Sequence, residues 1–339
     1  MPDKIRWGIL ATGTIAQKFA TGLSVLPDAE LVAVGSRSEA SAAAFAHQFS
    51  IPHVHSSYEA LAHDPDVDVI YVATPHSYHK ENSLLCLEAG KAVLCEKPFA
   101  INAQEAAAVI NFAREKGLFL MEAMWTRFLP ALVKVRQLIS DGTIGEPRML
   151  QADFGYRTGF NPTARHFAPE LGGGALLDVG IYPLSLASML WGKPTHIGSA
   201  VHLGETGVDE QAAAVLSYPS GAIALISTAI RTNTPHEAWI MGTEGRIKIH
   251  APWWVGTTLT LVTDGQEQII EAPMVGNGYN YEAAAVMNSL RSSQTEHPLM
   301  PLDETLALMQ TMDKIRAQWG LRYPGEIERR EERGERSEQ

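Results

Sequence analysis

Short, unbroken apolar runs alternate with helical stretches through the first 120 residues, and that beat limits the fold more than any other feature of the chain. Apolar runs at 5–11, 31–35, 67–73, 92–95 and 118–121 are separated by helical patterns at 14–26, 39–49, 78–89 and 103–116. Strands that lack polar alternation bury both faces, so they predict a parallel sheet with helices on either side. Such a doubly wound sheet takes its ligands beyond the carboxyl ends of its strands. After about residue 122 the rhythm changes. Strand patterns follow at 149–156, 195–203, 213–218, 222–230, 237–241, 246–250 and 258–262, punctuated by turns such as Pro219-Ser220-Gly221 and Thr243-Glu244-Gly245. An apolar helix is expected at 179–190, and two more at 281–290 and 304–319.

The expected class is therefore α/β. A doubly wound domain should span residues 1–122, and an α+β domain with a large open, mostly antiparallel sheet should span 123–323. A charged tail at 324–339, rich in Glu, Arg and Gly, is expected to be disordered. The open sheet needs cover on its second face, which a homodimer through the C-terminal sheet would supply.

The 339 residues fit two domains at ~150 residues each. With 27 Lys plus Arg against 38 Asp plus Glu, the net charge is −11, and no basic stripe exists for a phosphate backbone. No nucleic-acid partner is expected. Cys86 and Cys95 cannot build a disulfide framework or a four-ligand zinc site, and the 12 histidines form no HExxH cluster, so no metal site is expected. No apolar run reaches the ~18 residues of a membrane span, and the N-terminus does not read as a signal peptide. The expectation is a cytoplasmic protein with no membrane partner.

The segment Trp7-Gly8-Ile9-Leu10-Ala11-Thr12-Gly13-Thr14-Ile15-Ala16 stands where a dinucleotide-binding Rossmann fold carries its glycine turn. A full GxGxxG would need glycine at 11, 13 and 16, where this chain has Ala11, Gly13 and Ala16. Gly13 lets the backbone approach a pyrophosphate, and the helix N-terminus beyond it supplies N–H groups. Ala11, Thr12, Gly13, Thr14 and Ile15 are therefore placed around the phosphates. Small residues after a strand are often only a turn; their position after the first strand of the alternation is what singles them out. At the end of the second strand an acid would favour NAD. Here stand Ser36, Arg37 and Ser38, and a guanidinium flanked by hydroxyls suits a 2′-phosphate. NADP is the expected cofactor, with NAD as the alternative. A plain surface arginine, or one stacked on adenine, is the competing account of Arg37.

The fourth strand ends in Ala73-Thr74-Pro75-His76-Ser77-Tyr78-His79 and the fifth in Cys95-Glu96-Lys97-Pro98, on the rim where a nicotinamide would lie. An X-Pro bond can be cis, which would turn the Lys97 ammonium into the cleft. Later comes Gly172-Gly173-Gly174-Ala175-Leu176-Leu177-Asp178-Val179-Gly180-Ile181-Tyr182-Pro183. Its glycines permit close backbone approach, and Pro183 is tolerated only in a first helical turn, so a helix should start near Asp178. Asp178 and Tyr182, four apart, would then share a face. Taken in isolation, the pair reads more simply as an N-cap and a core ring.

In this order, the glycine turn, Thr74-Pro75-His76 with His79, Glu96-Lys97-Pro98 and the Asp178 to Tyr182 segment resemble the Gfo/Idh/MocA oxidoreductase family over about residues 5–319. The segment Met121-Glu122-Ala123-Met124-Trp125-Thr126-Arg127-Phe128-Leu129-Pro130 is similar to the branch of dimeric dihydrodiol dehydrogenases and NADP-dependent D-xylose dehydrogenases. Departures from the wider family are Ala11, Ala16 and His76, where Asn is commoner; Tyr182 is what the branch uses. The resemblance implies NADP(H), a dimer, and hydride transfer between nicotinamide and a carbinol carbon of a sugar or vicinal diol. It implies Lys97, Tyr182 and Asp178 as catalytic, and Thr74, Pro75, His76, His79, Glu96, Lys97, Trp125 and Arg127 beside the cofactor. Lys97, Trp125, Phe154, Asp178, Tyr182, Trp254 and Tyr279 would contact substrate. For His79, a satisfied structural histidine is the competing account; for Phe154 and Trp254, a core position is. A phenol of pKa ~10 is a weak base unless a cation lowers it, which Lys97 would do for Tyr182. An NAD-dependent inositol or amino-sugar dehydrogenase is the nearest rival, and a sugar sensor that binds without turnover is another.

Overall fold

The computed structural model describes residues 4–326. They form two compact units: one takes residues up to Asp141 with Trp254–Leu259 and Ile269–Leu306, the other Gly142–Trp253, Thr260–Gln268 and residues from Ala307 on.

The first unit begins with β1 (Ile5–Leu10), α1 (Thr14–Leu23), β2 (Ala29–Gly35), α2 (Glu39–Phe49), β3 (His53–His55) and α3 (Tyr58–Ala62). It continues through β4 (Val69–Val72), α4 (His79–Glu88), β5 (Ala92–Glu96), α5 (Ala103–Lys116), β6 (Leu120–Ala123) and α6 (Pro130–Ser140). The strands pair in parallel in the order β3-β2-β1-β4-β5-β6, the doubly wound arrangement. β4 and β5 are buried at every position, as unbroken apolar runs require. Local chemistry sets the helix ends: the Asn102 side chain accepts from Glu105 N at the start of α5, and Gly117 ends it in the left-handed region at φ 65°. β3 was not expected. Three residues, two of them histidine, carry no apolar signal.

In the second unit come β7 (Pro147–Gly155), α7 (Ile181–Trp191), β8 (His196–Leu203), β9 (Asp209–Ser217), β10 (Ile223–Ala229), β11 (Ala238–Gly242) and β12 (Gly245–Ile249), while β13 (Thr258–Thr263) and β14 (Gln266–Glu271) are divided, with Thr260–Gln268 in the second unit and their outer ends in the first. They make one eight-stranded sheet, ordered β14-β13-β12-β11-β7-β10-β9-β8. The β7–β10 pair is parallel; β11 with β7, β11 with β12, β9 with β10 and β8 with β9 are antiparallel. β14 escaped the sequence because it is polar and exposed, although Asp264-Gly265 (φ 51° and 73°) marks the turn before it. One face of the sheet carries buried Leu150, Ala152, Phe154, Leu216, Ala224 and Ile226; on the alternate positions Met149, Val215, Ile223 and Leu225 are exposed.

The stretch Pro169–Trp191, 23 residues, is long and apolar enough to cross a membrane by composition, and 83% of its apolar window is buried inside the protein. This corrects the expectation that no run reaches that length. Its apolar side chains are core.

α8 (Tyr279–Arg291) and α9 (Leu302–Trp319) close the described chain. Both were expected in the second domain, but α8 packs within the first unit. Gly22 of α1 makes room for it: a Cβ there would lie 2.6 Å from Asn277 Oδ1 and 2.9 Å from Tyr279 Cβ. Asn277 donates to Lys18 O at 2.7 Å, and Arg291 pairs with Asp28 at 2.8 Å. Of the expected tail, Glu326 is bound by Arg316 at 2.8 and 2.9 Å; residues 327–339 lie outside the described part.

Candidate active site

β1 delivers the chain into the expected phosphate turn, where Ala11 takes a φ of 88°, a region L-residues avoid at a cost of about 1–3 kcal/mol. Its N–H donates to Gly35 O at 2.9 Å, tying the turn to β2. Gly13 sits at the N-cap of α1 in extended conformation (φ −71°), so its backbone does not require glycine. Packing does not require it either, since a Cβ there would meet nothing within 4 Å. The first turn of α1 has no capping side chain and no acid. An uncapped helix start beside open space at a glycine fits a pyrophosphate, which would use the N–H groups of residues 13–15.

At the end of β2, Ser38 caps α2 by accepting from Ser41 N, and the Ser36 hydroxyl accepts from Ser38 N at 3.2 Å. The exposed Arg37 guanidinium lies 5.5 Å from the Tyr78 ring centre, and its charge works against the burial that pushes the Tyr58 phenol up. The Tyr78 ring thus backs it at the rim, where a 2′-phosphate would meet it.

Beyond β4, the buried Thr74 hydroxyl accepts from Asn82 at 3.1 Å, Pro75 opens a turn, and the His76 ring stands edge-on to His79 at 5.8 Å. His79 is fully buried, with Nδ1 2.8 Å from Pro98 O and Nε2 2.8 Å from Thr74 O. Its ring clamps two turns together, which fits the structural reading weighed against cofactor contact. Lys97 follows β5, and the Lys97–Pro98 peptide is cis. Three buried side chains pin this turn. The Glu96 carboxylate accepts from Lys97 N at 3.1 Å and from the Tyr71 hydroxyl; His79 holds Pro98 O; and Glu122 Oε1 accepts from Phe99 N at 3.1 Å. Glu96 is therefore turned into the core rather than toward a ligand. Burial pushes the Glu122 carboxyl up to about 7. The Glu282 carboxyl of α8, fully buried with no hydrogen-bond partner, is driven well above the usual range by burial and then by Glu96.

Trp125 and Tyr279 stack at 4.6 Å and 16°, over Gly278, whose Cβ would lie 2.9 Å from the indole. Arg127, expected beside the cofactor, is 3% exposed and spends its guanidinium on Leu299 O and Glu304. The turn at 125–128 points it inward, so it joins an internal ion pair. In the turn at 253–255, Trp253 is the buried indole, donating to Asp153 O at 2.7 Å, and Trp254 is partly exposed.

In the second unit Asp178 lies within a π-helical turn, Leu176–Gly180, that leads into α7. Wide turns of this kind recur at functional sites. Asp178 is 4% exposed; Oδ2 accepts from the Tyr156 hydroxyl at 2.7 Å and Oδ1 from Arg165 at 2.9 Å, with His166 Nε2 4.0 Å away. Burial and then Asp178 push the Tyr156 phenol well up, so Tyr156 is a proton donor. Tyr182, on the first turn of α7, packs its ring 5.3 Å from Phe154. The glycines before them serve close approach. A Cβ on Gly173 would strike His166 O at 2.9 Å, and one on Gly174 (φ 115°) would strike Asp209 Oδ1 at 2.2 Å. Buried Asp209 accepts from Leu176 N at 2.6 Å, and Tyr323 donates to Gly173 O at 2.6 Å. Burial raises the Asp209 carboxyl to about 7.

Lys97, Thr74, His76, Trp125 and Tyr279 thus belong to the first unit, and Asp178, Tyr182 and Phe154 to the second. Sequence reasoning missed Glu122, Tyr156, Arg165 and Asp209. A charge inside the apolar run at 120–124 was the signal for Glu122; the others act across the fold and leave none.

Residues 5–124 match an oxidoreductase family with an NAD-binding Rossmann fold, and residues 132–248 match the GFO/IDH/MocA C-terminal domain. The chain belongs to the Gfo/Idh/MocA oxidoreductase family. Among similar proteins, trans-1,2-dihydrobenzene-1,2-diol dehydrogenase of Mus musculus is 40% identical over 332 residues, covering 94% of this chain and 98% of that one. A 3-ketoreductase from Actinomadura kijaniata, solved with NADP and TDP-benzene, is 26% identical with a TM-score of 0.83, covering 93% of this chain and 98% of that one. An aldose-aldose oxidoreductase from Caulobacter crescentus shares the fold, at 24% identity and a TM-score of 0.85 over 94% of this chain and 98% of that one.

Proposed function

We propose that this oxidoreductase oxidises a secondary alcohol of a vicinal diol or sugar, D-xylose or a trans-dihydrodiol in kind, with NADP as the preferred cofactor. The observation that carries the reading is the Lys97 turn, fixed from three sides by Glu96, His79 and Glu122 at the carboxyl end of a Rossmann strand. A backbone held so firmly presents one ammonium in one place. The dihydrodiol dehydrogenase and the NADP-bound ketoreductase among its relatives support the substrate and cofactor classes.

A bound nicotinamide supplies the hydride acceptor. Everything else falls to the protein. We assign the removal of the hydroxyl proton to Tyr182, as its phenolate, and the stabilisation of the substrate oxygen by positive charge to Lys97. Asp178, already holding Tyr156 and Arg165, orients the neighbouring hydroxyl. The stacked rings of Trp125 and Tyr279 offer a face against which the C–H side of a diol packs, and Phe154 and Trp254 are each assigned to substrate contact. Arg37 meets the 2′-phosphate, so Arg37→Asp should shift preference from NADP toward NAD.

The active form is a cytoplasmic homodimer through the open face of the eight-stranded sheet, where Met149, Val215, Ile223 and Leu225 are exposed together. Light scattering should give twice the chain mass for the native protein and the single mass for Leu225→Lys.

The deciding experiment is Lys97→Met, assayed with NADP against D-xylose and a trans-dihydrodiol. The expected result is a fall in kcat of about 10²–10⁴-fold with NADP still bound. Undiminished turnover would remove the reading.

A further inference from the structure

A second set of ligand-type side chains gathers at the edge of the parallel sheet, unused by any step above. His53 and His55 stand two apart on β3, so both rings leave the strand on one face. Asp64, just past the end of α3, comes up against that face. His53 Nδ1 is 2.7 Å and His55 Nε2 2.8 Å from the same oxygen, Asp64 Oδ2. The three potential ligand atoms all lie within 4.8 Å of one another. The other carboxylate oxygen, Oδ1, is occupied by Asp66 N at 2.9 Å. The Asp64 side chain is 3% exposed, whereas those of His53 and His55 are 36% and 22% exposed. One anchored acid thus faces two imidazoles that solvent can reach.

We propose that His53, His55 and Asp64 form a binding site for a zinc-type divalent cation, with His53 Nδ1, His55 Nε2 and Asp64 Oδ2 as ligands and water in the fourth position. Two imidazoles and one carboxylate, leaving an open position, are a donor set zinc accepts. Tetrahedral zinc with bonds of ~2.0–2.1 Å sets its ligands ~3.3 Å apart. The contacts now at 2.7 and 2.8 Å need to open by only about half an ångström, which partly exposed rings can do around a fixed carboxylate. A carboxylate oxygen only accepts, so the contacts to Oδ2 call for an N–H on each contacting nitrogen, which a metal would displace. For His53 the other ring nitrogen, Nε2, faces Asp66 Oδ2 at 3.9 Å. A carboxylate behind a ligating histidine is the usual support for such a ring. The surrounding charge is favourable: Asp64, Asp66 and Asp68 stand against Arg6, which binds Asp66 and Asp68, and Lys91, whose ammonium is spent on the Asp64 and Val67 carbonyl oxygens. The ion would staple β3, paired on one side by β2, to the link between α3 and β4.

The test is calorimetric titration of the untagged full chain, stripped with chelator, using zinc chloride as the probe. His53→Asn and His55→Gln place amide N–H groups where the ring N–H groups stand, so the hydrogen bonds to Asp64 persist while ligation is lost. The expected result is one zinc per chain with Kd at or below about 10 μM, a rise in melting temperature, and at least a tenfold weakening in each variant at unchanged circular dichroism. X-ray absorption of the zinc-bound protein should show two imidazoles at ~2.0–2.1 Å. No binding tighter than about 1 mM, or affinity unchanged in both variants, overturns the proposal.

Discussion

The turn that carries Lys97 and the turn that carries Asp178 solve one problem in two ways. Each is anchored by a buried carboxyl group raised to about 7: Glu122 on Phe99 N in the first unit, Asp209 on Leu176 N in the second. The Lys97 turn takes its support from neighbouring strands and helices of a parallel sheet, with Glu122 on β6 and His79 at the start of α4. The Asp178 turn takes its support from far along the chain: Asp209 opens β9, and Tyr323 follows α9. A parallel sheet sets its strand ends side by side by topology, so a reactive turn there has partners ready to hand. A helix start lying over an open sheet has no such neighbours. Close-approach glycines and distant side chains must hold it.

The glycines offer the sharpest way to break this contrast. Gly174→Ala should destabilise the protein by about 3 kcal/mol or more, because it adds a Cβ 2.2 Å from Asp209 Oδ1 at a φ of 115°. Urea unfolding would measure it, and a loss within 1 kcal/mol would mean the Asp178 turn is not held by close approach. The buried carboxyls come next. Each folded-state value lies above its ordinary one, so the folded protein keeps a proton that the unfolded chain has released. Stability should therefore fall as pH rises from about 4 to about 7, by about 3 kcal/mol for each group. Glu122→Gln and Asp209→Asn should each flatten part of that decline. Identical pH profiles in the wild type and both variants would show that these carboxyls are not raised. The smallest effect belongs to the phosphate turn: Gly13→Ala should change stability by less than about 1 kcal/mol yet weaken NADP binding about tenfold. If it cost as much stability as Gly174→Ala, Gly13 would be a packing glycine and the open space before α1 would lose its meaning.

The same contrast explains what the chain revealed before it was folded. Period and punctuation carried β1, β2, β4 and β5, whose burial on both faces leaves unbroken apolar runs, along with α1, α2, α4, α5 and the open sheet, but not α3 or α6. They missed β3 and β14, where edge strands with histidine or glutamine have nothing to bury. Lys97, Asp178 and Tyr182 stood out because each sits in a local pattern of glycine or proline. Arg127, which the resemblance put beside a cofactor, is buried and bonded to Glu304, 177 residues away, a pairing no local pattern announces. Tyr156, Arg165 and Asp209 leave no local mark, since their roles exist only after the sheet has formed.

The proposal assigns Lys97 and Tyr182 to the same proton-transfer step. A double-mutant cycle reads that requirement directly, through kcat/KM of the wild type, Lys97→Met, Tyr182→Phe and the double variant. If the two groups act as one unit, the double variant should be within about tenfold of the worse single variant. If the two losses multiply in full, each side chain works alone, and the assignment of both to one proton-transfer step is wrong.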